Sequence, residues 1–252
     1  MTAMRAGECV SLIGLSGMGK SNLLGFITFR VCPKEDDVLC ILLDCNRLPS
    51  FTSGAFFHLA NLNLKSQVKG TSIDGEIPED DGFDGLHHAI SSVTMETGRK
   101  VLFLIDGFDD LTASVDRQFF NLLRSLRDGH KYMLSYLLAT RRPLDVLAGW
   151  EKVREFNDLF VANQIWLGPL NDSDARWTVK RFEERHGKKF KKDEVLSLLE
   201  LSGNHPGLLR VLAAAWHSMN TILPAVWLEH PAVIRECELL WDDLPEETRQ
   251  NV

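Results

Sequence analysis

The chain has 252 residues, 44% of them hydrophobic and 25% charged, with a formal net charge of -7. That length accommodates a three-layer core with a smaller appended domain, and the acidic balance argues against nonspecific nucleic-acid binding. No charged leader with an apolar stretch opens the sequence, and no run of roughly eighteen apolar residues follows, which points to a cytoplasmic chain that does not span a membrane.

Cys9 to Ile13 reads as a short buried strand. The octet Gly14-Leu15-Ser16-Gly17-Met18-Gly19-Lys20-Ser21 comes next and fits G-x-x-x-x-G-K-[ST], the phosphate-cradling loop of nucleotide-binding α/β proteins. Its glycines let the backbone curl and point N–H groups inward, and the helix that follows adds its positive end. The expected phosphate-binding set is therefore Gly14, Ser16, Gly17, Met18, Gly19, Lys20, Ser21 and Asn22. Lys20 would place its ammonium on the terminal phosphates, and Ser21 would offer its hydroxyl to Mg²⁺.

A first helix is expected from Asn22 to Phe29, packing through Leu23, Leu24, Ile27 and Phe29. Val38 to Leu43 is a nearly continuous apolar strand closed by Asp44, as expected where helices cover both faces of a parallel sheet. Phe51 to Leu62 reads as a helix capped by Ser53, with Phe56, Leu59 and Ala60 on one face. Asn63 to Gly85 carries Gly70, Gly75, Pro78, Gly82 and the acidic cluster Glu79-Asp80-Asp81, and reads as a long exposed loop. A helix returns from Leu86 to Glu96.

Val101 to Ile105 is an apolar strand ending in Asp106; Val115 to Leu126 is helical; Tyr132 to Ala139 leads into a strand that Thr140-Arg141-Arg142-Pro143 closes. A short strand is expected around Gln164 to Leu167. After Gly168-Pro169 the pattern turns helical: Asp172 to Arg185, Asp193 to Leu201 and Pro206 to Ser218. These shifts divide the chain into an α/β domain over 1–168, a helical domain over 169–236 and a C-terminal segment over 237–252. The basic run Lys188-Lys189-Phe190-Lys191-Lys192 reads as a solvated connection between helices. The five cysteines, Cys9, Cys32, Cys40, Cys45 and Cys237, lack C-x-x-C spacing and read as buried thiols of a reducing compartment.

In open α/β sheets ligands bind at the carboxyl ends of the strands. Asp106 stands at such an end and can hold Mg²⁺ through water opposite Ser21. Asp109 and Asp110 follow at once, and either carboxylate can orient or deprotonate an attacking water; both also suit the first turn of a helix. Arg141 closes the next strand, where a guanidinium can contact a γ-phosphate and tell ATP from ADP; Arg142 takes that place if the register moves by one. The catalytic set is thus Lys20, Asp109, Asp110 and Arg141.

Taken together, GLSGMGKS, VLFLIDGFDDL, LLATRRP and GNHPGLLRVLA resemble the nucleotide-binding module of STAND-class P-loop ATPases, relatives of NACHT, NB-ARC and AAA+ proteins. The resemblance covers about residues 9 to 240. It implies a three-layer P-loop core with a parallel sheet, a small helical lid and the start of a winged helix, whose opening the segment from Cys237 to Pro245 resembles. It implies ATP or ADP and Mg²⁺ as ligands, Asp106 as the Walker B acid, Asp110 as the water-polarising acid and Arg141 as the sensor. Pro206, in Gly203-Asn204-His205-Pro206, would approach adenine or hold the helical domain against nucleotide, although Pro at a helix start needs no ligand. The sequence departs from the family where a helix and a G-R-E-type segment would precede the first strand. The implied activity is that of an ATP-hydrolysing switch in signalling or defence, acting as a homo-oligomer or with separate sensor and effector proteins. A scaffold with negligible hydrolysis and a nucleic-acid-associated AAA+-like ATPase are the alternatives.

Overall fold

The computed structural model describes residues 2–69, 80–219 and 224–250. It divides into two compact units, one formed by Met1–Ile13 with Lys20–Trp166 and the other by Gly14–Gly19 with Leu167–Val252.

The first unit opens with α1 (Thr2–Arg5), β1 (Val10–Ile13) and α2 (Lys20–Phe26), which runs on through a π-helical turn at Ile27–Val31 and a 3₁₀ turn at Cys32–Lys34. Next come β2 (Val38–Asp44), a 3₁₀ turn at Cys45–Arg47, α3 (Ser53–Val68), α4 (Phe83–Thr97) and β3 (Lys100–Asp106). It closes with α5 (Phe108–Ser114), α6 (Arg117–Gly129), β4 (Leu134–Thr140), α7 (Leu144–Ala148), α8 (Trp150–Asn157) and β5 (Gln164–Trp166). The strands form one sheet in the order β2-β3-β4-β1-β5, and every neighbouring pair is parallel. Helical crossovers make that possible and cover the sheet, so β1 and β4 are buried along their whole length. β5 forms an edge, and its three residues are exposed. Phe56, Phe108, Phe119, Phe120 and Phe156 build an aromatic cluster within the core, with edge-on contacts such as Phe56–Phe119 at 5.3 Å.

Several local features depart from the sequence reading. The first helix was expected to pack through Phe29, but the wide π turn rotates its apolar face and leaves Phe29 exposed, with Leu24 the buried residue of α2. Thr52, rather than Ser53, caps α3: its Oγ1 accepts the Ala55 N–H at 3.3 Å. α3 also runs past Leu62 to Val68, because Leu64 and Val68 continue the buried face of Phe57 and Ala60 at helical spacing. Residues 70–79 of the expected loop lie outside the described residues. Beyond them Asp81 pairs with Lys65 at 3.0 Å and lies 3.3 Å from His58, and the Lys65 hydrogen bond holds its carboxyl below the usual range. The helix expected from Val115 starts at Arg117, because Asp116 caps α6 by accepting the Phe119 N–H at 3.1 Å, and a separate helix, α5, precedes it. The reading of five unpaired thiols fails for one pair. The 3₁₀ turn after α2 carries Cys32 beside β2, where it forms a disulfide with Cys40 at a Cα separation of 6.1 Å. Cys9 and Cys45 are buried thiols, and Cys237 is exposed.

The second unit is helical: α9 (Asp172–His186), α10 (Lys192–Ser202), α11 (Pro206–Met219), α12 (Pro224–Leu228), α13 (Pro231–Asp243) and α14 (Glu246–Arg249). It has its own core, built on Val179, Leu198, Leu209, Leu212, Trp216 and Trp227. Phe190, inside the lysine run, is buried against Trp216 with ring centroids 4.2 Å apart, and the Lys188 ammonium lies 4.5 Å from that ring. α13 continues without a break through Cys237, so the expected division between 236 and 237 falls inside a helix.

Candidate nucleotide-binding site

Parallel strands deliver their carboxyl ends to one edge of the sheet. The register aligns Ile13 with Thr140 and Asp44 with Asp106. Asp106 accepts the Gly107 N–H at 3.1 Å, and Gly107 takes a left-handed turn with φ of 65°. A Cβ at Gly107 would collide with the Asn46 carboxamide. Asn46 is in turn held by Asp44, whose Oδ1 accepts its backbone N–H at 3.1 Å and its side-chain N–H at 2.9 Å. Asp44 and Asn46 were not among the residues predicted for the site. The available signal was that β2, like β3, ends its apolar run in aspartate.

The carboxylates here create a negative field. The buried Cys45 thiol is pushed up to about 12, chiefly by burial and then by Asp44, Asp106 and Asp109. Such a field suits a hard cation. Among the described residues no group of three or more His, Cys, Asp or Glu forms a metal cage.

Asp109 and Asp110 occupy the first turn of α5, and the structure brings both to Arg141. Asp109 is buried; its Oδ1 accepts the Arg141 backbone N–H at 2.9 Å and lies 3.3 Å from Arg141 Nε. The Asp110 side chain is 60% exposed and has its Oδ1 3.3 Å from Arg141 NH2. One carboxylate is thus built into the backbone, while the other meets solvent. Thr140, just before Arg141, is fully buried, and its Oγ1 finds no hydrogen-bond partner among the described residues. Lys20, Ser21 and Asn22 open α2, with Lys20 partly buried and the other two exposed.

The Gly-rich loop, Gly14–Gly19, belongs with the helical unit. Gly17 and Gly19 adopt φ of 73° and 91°, which only glycine takes without strain, and the Met18 N–H donates to the Leu15 carbonyl at 3.3 Å. Two residues grip Ser16. His205 Nδ1 accepts the Leu208 N–H at 3.1 Å, which leaves the proton on Nε2, and that N–H donates to the Ser16 carbonyl at 2.9 Å. The Ser16 N–H donates to Asp243 Oδ2 at 2.6 Å. His205 therefore caps α11 and anchors the loop, a role its sequence context left open. Pro206 opens α11 behind it.

Residues 1–221 match the family model described as Novel STAND NTPase 1. The chain belongs to that family. This STAND NTPase resembles, in fold, the Walker-type ATPase PABY2304 of Pyrococcus abyssi, with a TM-score of 0.62 and 16% identity over 96% of this chain and 71% of that one. It is also similar to the Aeropyrum pernix ORC1 protein solved in complex with DNA, with a TM-score of 0.58 and 15% identity over 96% of this chain and 64% of that one. The ADP form of Aeropyrum pernix ORC2 superimposes with a TM-score of 0.56 and 13% identity over 90% of this chain and 62% of that one. This STAND NTPase thus spans less than two thirds of each ORC protein. No protein of curated function matches it. Among the described residues no helix is long and apolar enough to cross a membrane.

Proposed function

We propose that this STAND NTPase is a Mg²⁺-dependent switch that binds ATP or ADP, hydrolyses ATP slowly, and converts the difference into domain arrangement or assembly. The observation that carries the reading is the set of polar groups at the carboxyl edge of the sheet, with Asp106 beside Asp44 and Arg141 clamped by Asp109 and Asp110. A bound Mg²⁺ would supply charge neutralisation of the phosphates. Ser21 and Asp106 are the residues suited to hold it. The amides of Gly14–Gly19 are suited to phosphate oxygens, and Lys20 supplies a cation directly after them in sequence. Asp110, the more exposed of the two acids, orients the attacking water, while Asp109 fixes the Arg141 backbone. A γ-phosphate competes with these acids for the Arg141 guanidinium, so ATP and ADP leave the strand tip in different states.

The helical residues from 169 onward act in this reading as a lid, with Pro206 near the base. Cytoplasmic signalling or defence is the proposed setting, with a second copy or separate sensor and effector proteins as partners. A scaffold with negligible turnover is the second reading, favoured by Arg141 engaging both candidate acids at once.

The test is calorimetric titration with ATP and ADP. Lys20→Ala should weaken ATP binding by about 100-fold while the circular dichroism spectrum stays unchanged. Equal affinity in both proteins overturns the reading. Asp106→Asn should weaken binding with Mg²⁺ present and have little effect without it; equal losses would instead point to structural damage.

A further inference from the structure

The Gly-rich loop is already engaged by an anion from its own chain. Asp243 is the last residue of α13, where the negative end of a helix disfavours a carboxylate, and it is 2% exposed. A buried carboxylate needs strong donors, and the Ser16 N–H supplies one at 2.6 Å, a short charge-assisted bond. His205 fixes the same residue through its carbonyl, aiming the amide from the other side. Glu236 lies seven residues before Asp243 and so shares its face of α13. Its carboxylate fills the space that a Cβ at either Gly17 or Gly207 would need. Two negative side chains therefore stand against a loop whose sequence is that of a phosphate binder.

We propose that α13 supplies an internal anion to this loop, so that the Asp243 carboxylate, flanked by Glu236, must leave before a nucleoside triphosphate takes the Ser16 and Gly17 amides. The contact is autoinhibitory. It satisfies the Ser16 amide without nucleotide, and it puts carboxylates where incoming phosphates would lie. Nucleotide binding and α13 release become one equilibrium, in which the triphosphate, with more charge than the diphosphate, gains most from release. The inference rests on the nucleotide-binding reading above, and its test separates the two.

The experiment is calorimetry with Mg·ATP and with ADP on the full chain, comparing wild type, Asp243→Asn, Glu236→Gln and Lys20→Ala. Asp243→Asn keeps the shape and removes the charge, and should tighten ATP binding about tenfold, the difference between a charged and a neutral hydrogen bond. Glu236→Gln should act in the same direction with a smaller effect. A carboxylate that merely braces the loop predicts the opposite sign, because its loss would loosen the phosphate cradle. Unchanged or weaker ATP binding in both variants, with Lys20→Ala still impaired, overturns the internal anion and leaves the nucleotide reading standing. Absence of binding in every protein overturns both. An environment-sensitive fluorophore on Cys237, the exposed thiol of α13, gives a readout that depends on no substitution. Its emission should shift as ATP saturates; a flat response alongside calorimetric binding overturns the inference even if Asp243→Asn fails to fold.

Discussion

In the α/β unit, Asp109 and Asp110 share one guanidinium, that of Arg141. In the helical unit, Asp243 has the Ser16 backbone N–H, with Glu236 on the same helix face. The first arrangement sets opposite charges together at a strand end, where in the proposed switch a phosphate can exchange for the exposed Asp110 carboxylate. The second sets a buried carboxylate against a backbone amide of a glycine-rich loop. If both proposals hold, similar acids give a sensor-like contact in one region and a block in the other.

The cores differ as well. The α/β unit relies on buried strands and a phenylalanine cluster, the helical unit on Trp216 and Trp227. The largest expected effect tests whether they are energetically separate. Phe119→Ala should cost about 3–5 kcal/mol through the cavity it leaves. Hydrogen exchange should quicken across β3, β4, α5 and α6 and not across α9 to α11. Equal quickening in both units would show a single cooperative fold and break the comparison.

Next in size is the difference between the two acids of α5. Asp110→Asn should slow single-turnover hydrolysis about 100-fold with ATP binding preserved. Asp109→Asn should instead lower stability by about 1–3 kcal/mol, because a buried backbone N–H loses its charged acceptor. Turnover lost at Asp109 and retained at Asp110 would reverse the assignment.

Acid should act on the α/β unit through His130. Burial, and then neighbouring His87 with ring centroids 4.6 Å away, holds its imidazole down to about 4 in the folded state. The unfolded chain titrates near the ordinary 6.5 and so binds the extra proton between those values. Stability should be full above pH about 6.5, fall by roughly 3 kcal/mol toward pH about 4, and level off below. Denaturant midpoints across that window measure it. His130→Phe should flatten the slope; an unchanged slope would remove His130 as its source.

The smallest effect is at Arg141. Arg141→Ala should narrow the preference for ATP over ADP by about tenfold, or ~1.4 kcal/mol, with ADP binding nearly unchanged. Parallel losses for both nucleotides would make Arg141 structural and end its comparison with Asp243.

Much of the α/β unit was legible because its signals are local. Val38 to Asp44 and Lys100 to Asp106 are apolar runs ending in aspartate, and a buried parallel strand needs little else. The loop announced itself because only glycine tolerates the backbone at Gly17 and Gly19. Boundaries were less legible: whether α3 stopped at Leu62 or Val68 depended on whether Leu64 and Val68 were buried, which the surrounding core decides.

What the sequence indicated by itself was the succession of five strands, the phosphate-loop motif, and a proposed set of site residues at the strand ends. Each follows from periodicity or from backbone preferences within a few residues. The tertiary structure alone decided that Cys32 meets Cys40, that Arg141 joins Asp109 and Asp110, and that Ser16 lies between His205 and Asp243. Asp243 is 227 positions from Ser16 along the chain. No local pattern encodes such a pairing, because hydrogen bonds and charge act over ångströms in space and are indifferent to distance along the chain.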